Sequence, residues 1–94
     1  LKKRIDIVLQ EFIRIYGELN IKCDFEEDYV NMPERIKNSR NALDHGNVEY
    51  KFERIMYWDA ELLRAMVYML ILKTAGISDE KIFNSIKKLS KYPV

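Results

Sequence analysis

Arg40 and His45 stand five positions apart in RNALDHG, residues 40–46, and His45 is the only histidine of the chain. An imidazole with an unperturbed pKa of about 6.5 both gives and takes protons near neutral pH, and a placed general acid or base speeds a reaction roughly 10²–10⁴-fold. A guanidinium stays charged and grips phosphate oxygens through a planar fork, which a lysine does less well. The two side chains together therefore suit proton transfer at a phosphodiester. The spacing alone is a weak signal: six arginines and one histidine would meet such a window by chance roughly 0.2 times.

The same segment also has a purely structural reading. Arg40 and Asp44 are four apart, as are Asn41 and His45, so each pair meets on a helix surface. Arg40 with Asp44 would then be an exposed ion pair worth under about 1 kcal/mol. Asn41 would steady His45, and a histidine at a helix C-terminus complements the dipole. At about 100° per residue, Arg40, Asn41, Asp44 and His45 share one arc, while Met32, Ile36 and Leu43 gather on the opposite side. A helix over Pro33 to His45 thus packs by one side and turns its polar arc outward.

The remaining elements also read as helices. Ile5, Val8, Leu9, Phe12, Ile15, Tyr16 and Leu19 form an amphipathic stripe, the surest helix of the chain. Asn20 to Asn31 shows no clear period, and reads mainly as a connector with room for a short helical turn. Pro33 suits the first turn of the second helix, and Gly46 the position just past its end. A long third helix runs from about Phe52 to Ala75 and is ended by Gly76. Its later half is apolar on nearly every side, which predicts burial on all faces and a central place. Ser78 offers a cap to a fourth helix that carries Ile82, Phe83, Ile86 and Leu89, with Lys87, Lys88 and Lys91 at its far end. The expected fold class is all-α, a compact up-and-down four-helix bundle.

Composition bounds what such a bundle does. The chain has 94 residues, 48% of them hydrophobic, enough for a single domain over 1–94 with one modest core. Stability at this size is marginal, so a second subunit would help. A net charge of +1 is not the footprint of a protein that grips nucleic acid by charge alone. Cys23 is the sole cysteine, which excludes a disulfide framework and a cysteine metal site and fits a reducing, cytoplasmic compartment. The longest apolar run, Ala65 to Leu72, is far shorter than the roughly 20 residues of a membrane span. Beginning at Leu1 without a methionine, the chain reads as part of a longer protein.

Arginine followed by asparagine, an apolar pair, then histidine at a helix end, glycine, and a long apolar helix: this combination resembles the HEPN superfamily, most of all its Apea-type members. The resemblance spans most of the chain, from the leading amphipathic helix through RNALDHG and residues 52–75 to the closing KTAGISDEKI. It implies an all-helical homodimer whose arginine-to-histidine motif forms a metal-independent endoribonuclease site across the two-fold axis. Arg40 and His45 match the two defining residues, and Asn41 matches the polar residue that often follows the arginine. Asp44 departs from the family pattern, where small or apolar residues are commoner before the histidine. An acid there repels phosphate, yet a carboxylate beside an imidazole also favours its protonated form.

The chemistry implied is attack of the RNA 2′-hydroxyl on the adjacent phosphorus, leaving a 2′,3′-cyclic phosphate and a 5′-hydroxyl. That reaction needs a base, an acid and cationic donors, and one motif holds a single imidazole and a single guanidinium; a two-fold axis doubles both. Arg35, Lys37, Lys51 and Arg54 flank the motif as a candidate basic rim for an RNA backbone, against the commoner reading of solvated surface charge. Tyr50, Phe52, Tyr57 and Trp58 are placed to stack on bases, though packing is the favoured reading. Met66 and Met69 are read as packing residues. Asp24, Glu26, Glu27 and Asp28 have metal-capable oxygens but lack the glycine and alternation of a calcium loop, so no metal and no cofactor is expected. The resemblance also implies a role in antiviral defence or as a toxin, with an inhibitory or antitoxin partner or further domains of a longer chain. A helical dimerisation or RNA-binding module that keeps the fold without cleavage is the competing expectation.

Overall fold

The computed structural model describes residues 2–44 and 54–90, with the side chains of Leu43, Asp44 and Ser90 outside the description. Ile5, Leu9, Phe12 and Tyr16 recur at three- and four-residue steps, and their burial makes Lys2–Tyr16 the first helix, α1. The expected stripe does not continue to Leu19. Gly17 takes φ 93, a left-handed conformation open to glycine at little cost, and the chain restarts as α2, Glu18–Asp24. Leu19 is accordingly 74% exposed, whereas Ile21 is buried.

The expected connector therefore holds two short elements, α2 and a 3₁₀ turn over Tyr29–Asn31. Phe25 and Tyr29 are buried from this stretch, and Phe12, Tyr16 and Phe25 meet with ring centroids 5.4 to 6.1 Å apart. Such tilted and edge-on pairs add about 0.5–1.5 kcal/mol each beyond area burial. Next, Met32–Asp44 forms α3 and Arg54–Thr74 forms α4. A two-bond stop closes α4: Gly76 N–H donates to Lys73 O at 3.0 Å and Ile77 N–H to Leu72 O at 3.0 Å, with Gly76 at φ 80. Ser78 then caps α5, Asp79–Ser90, its hydroxyl accepting from Lys81 N–H at 3.4 Å.

Five α-helices and the 3₁₀ turn, with no strand among the described residues, bear out the all-α class. Helices one to four of the sequence reading correspond to α1, α3, α4 and α5. All four pack on one core of Ile5, Leu9, Phe12 and Tyr16 from α1, Met32 from α3, Leu62, Ala65, Met66 and Met69 from α4, and Ile82 and Ile86 from α5. Met66 and Met69 are packing residues, as the sequence suggested.

The later half of α4 corrects one expectation. Val67, Leu70 and Ile71 are 49%, 40% and 60% exposed, so α4 is not buried on all faces. Its neighbours are α1, α3 and α5, and Leu63, Met66, Val67 and Leu70 line, with Arg4, Ile5 and Val8 of α1, an open groove of about 190 Å³. No described helix is long and apolar enough to cross a membrane.

Candidate functional site

Helix α3 positions the motif. It is mostly polar, MPERIKNSRNALD, and it enters the core through Met32 and Pro33, with Ile36 packed against the edge. Lys37, Arg40 and Asn41 are all exposed on its outer side. These three share an arc of about 100°, because positions three and four apart stack on a helix surface. The outward polar arc read from the sequence is thus present for Arg40 and Asn41. His45, Gly46, Tyr50, Lys51 and Phe52 lie outside the described residues. Arg54, the first residue of α4, is exposed. Tyr57 is exposed beside a part-buried Trp58, the two rings meeting edge-on at 5.3 Å.

Arg35 differs from the other basic residues of the candidate rim. Its Nε donates to Asp59 Oδ2 at 2.7 Å and its Nη2 to Asp59 Oδ1 at 2.8 Å, a side-on bidentate pair. Nη1 donates to Asp28 Oδ2 at 3.1 Å and Nη2 also to Asp28 O at 2.9 Å. The Arg35 side chain is 20% exposed and that of Asp59 only 6%. Hydrogen bonds to Asp59 hold the guanidinium's pKa above its ordinary value, against the opposing effect of burial. Arg35 is therefore engaged inward, tying α3 to α4 and to the chain before the 3₁₀ turn, where a phosphate would have to displace two carboxylates.

Asp59 was not singled out in the sequence, although a signal exists. It sits on the same face of α4 as Leu62, Met66 and Met69, an acid on a core stripe, and such a residue needs a buried partner. Two members of the acidic group are likewise occupied. Asp28 serves Arg35 and accepts from Asn31 Nδ2 at 2.8 Å. Asp24 accepts from the buried Tyr16 hydroxyl and faces Lys87 Nζ at 3.6 Å. No group of three His, Cys, Asp or Glu side chains placed to hold a metal ion occurs among the described residues.

The arrangement thus offers an exposed guanidinium and amide late on α3, borne by a helix whose early turns are locked. A family model described as Apea-like HEPN matches residues 1–81, most of the chain and all of the motif. The chain belongs to the Apea-like HEPN family. HEPN domains are generally associated with ribonuclease activity. No curated protein and no solved structure matches this HEPN domain. The matched span ends within α5, so the helical frame that carries α3 lies almost wholly inside it.

Proposed function

We propose that this HEPN domain is a metal-independent endoribonuclease whose site is completed by a homodimer. The observation that carries the reading is the family motif, Arg40–Asn41 followed by His45, with Arg40 and Asn41 exposed on the outer face of α3. The RNA 2′-hydroxyl loses its proton to one imidazole and its oxygen attacks phosphorus. The 5′-oxygen leaves with a proton from a second imidazole, the symmetry mate of the first. Arg40 and its mate hold the phosphoryl oxygens as charge builds there, and Asn41 adds an uncharged donor. The products are a 2′,3′-cyclic phosphate and a 5′-hydroxyl. Lys37, Lys51 and Arg54 supply the surrounding rim; Arg35 belongs to the frame instead.

In this reading the protein is a cytoplasmic effector of antiviral defence or a toxin, kept silent by an inhibitory partner or by further domains. An inactive dimerisation or RNA-binding module is the second reading, favoured by Asp44 and the net charge of +1. Incubating the purified protein and its His45→Ala and Arg40→Ala variants with RNA in chelator separates the two. The expected outcome is cutting by the parent alone, a loss of at least about 10²-fold in either variant, and cyclic phosphate ends. Equal cutting by all three proteins, or none by any, refutes the enzyme reading.

A further inference from the structure

Helix α3 has little apolar surface with which to fix its own place. Beyond Met32, Pro33 and the part-buried Ile36 and Ala42, its described side chains are polar, and Lys37, Asn38, Arg40 and Asn41 face outward. Apolar burial is also non-directional, so a helix held by two or three such side chains tolerates a slide or a small rotation. The Arg35 fork does not tolerate either. Its four hydrogen bonds run to three acceptor groups on two other segments, the two oxygens of Asp59 on α4 and the side chain and carbonyl of Asp28. Turning α3 by one residue breaks all four and strands the Asp59 carboxylate, whose residue is 4% exposed.

Arg35 and Arg40 sit on opposite flanks of the core-facing stripe, about 7.5 Å apart along the helix axis. Any rotation permitted at Arg35 is carried undiminished to Arg40 and Asn41 because an α-helix is stiff over so short a span. We propose that the Arg35–Asp59–Asp28 clamp sets the rotation and register of α3, making Arg35 and Asp59 positioning residues for Arg40 and Asn41. The proposal rests on the ribonuclease reading above for its catalytic consequence and on geometry alone for its structural one. It also gives a reason for a buried ion pair in so small a domain. Such a pair contributes little net stability compared with packed apolar side chains, but it specifies one arrangement among several of similar burial.

Two variants of the whole chain test this. Arg35→Met with Asp59→Leu replaces the pair by apolar groups of similar size, and Arg35→Lys keeps the charge while losing the fork. Each is read by thermal midpoint, by amide exchange resolved along the chain, and by kcat and KM on an RNA oligonucleotide. In the double variant the midpoint stays near the parent's, because an apolar pair replaces the ionic one. Amides of residues 37–42 exchange at least about tenfold faster while those of α1 and α5 hold. The kcat falls by about 10–100-fold with KM little changed, since an ångström of misplacement costs up to about that much. Arg35→Lys falls between parent and double.

Parent-like exchange in α3 together with parent-like kcat overturns the proposal, as does loosening spread evenly over all helices. If the double variant fails to fold, Arg35→Lys decides by the same criteria. If the parent cuts no RNA, the ribonuclease reading falls, and exchange in α3 alone decides whether the clamp sets its register.

Discussion

Arg35 and Arg40 lie five residues apart on α3, carry the same charge, and have opposite energetic roles. Truncating Arg35 to alanine removes a guanidinium whose side chain is 20% exposed and leaves the Asp59 carboxylate, 6% exposed, without its bidentate donor. Breaking a buried pair from one side costs about 3–5 kcal/mol, because the stranded charge keeps its desolvation penalty. A domain of this length has about 5–10 kcal/mol in total. Arg35→Ala should therefore lose a third to most of the stability, a fall of about 12 °C or more in thermal midpoint at roughly 4–8 °C per kcal/mol. Arg40→Ala removes an exposed side chain and should stay within about 0.5 kcal/mol of the parent. Urea unfolding followed by far-ultraviolet circular dichroism measures both on one scale, and an unchanged slope with denaturant shows that the folded states are comparable. A loss below about 1 kcal/mol in Arg35→Ala, or equal losses in both variants, would refute the view that the pair is buried and energetically coupled.

Two further outcomes are open to direct measurement. Glu11 accepts from Arg14 and from Lys73, and these bonds hold its carboxyl at about 2 instead of the ordinary 4.5. A depressed carboxyl stabilises the fold above its unfolded value, so this contribution is intact above pH 4.5 and is lost as pH falls from there toward 2; in Glu11→Gln that part of the acid dependence should vanish from urea midpoints taken across the range. Gly17→Ala and Gly76→Ala each force a side chain into positive φ, at about 1–2 kcal/mol. The two should lose similar amounts, since a Cβ at Gly17 meets only the end of the flexible Asn20 side chain at 3.4 Å and nothing lies within 4 Å at Gly76, and thermal shifts several-fold apart would count against backbone strain as the shared cause.

What the sequence disclosed was whatever local chemistry encodes. The stripe of Ile5, Leu9, Phe12 and Tyr16, the Gly76 stop and the Ser78 cap are each decided within a few residues, and each lies where the spacing puts it. The break at Gly17 was hidden because Ile15 and Leu19 prolong the apolar period across it, and only the backbone shows that the stripe ends. The far side of α4 was misread for a different reason. Val67, Leu70 and Ile71 are as apolar as Met66 and Met69, and which of them is covered depends on where α1, α3 and α5 lie. At the candidate site, Arg40 and Asn41 follow from helical phase alone, whereas the role of Arg35 depends on Asp59, twenty-four residues away, and no local pattern announces it. His45 and Lys51 lie outside the described residues, so the motif's second half rests on sequence.

Helix α4 is fastened near both ends, and the two fastenings differ in their exposure to water. Asp59, near its start, is sealed from solvent beside Arg35; about 21 Å further along, Lys73 holds Glu11 in a group that Arg14 and Asp79 join, with those last two side chains 55% and 52% exposed. Dissolved ions reach the second group more readily than the Arg35–Asp59 pair, and at molar concentration they shorten electrostatic range to about 3 Å. Brine should therefore loosen the α5 end of the domain while leaving the motif-bearing helix seated, a directional weakness that one beam with unlike joints imposes on the whole frame.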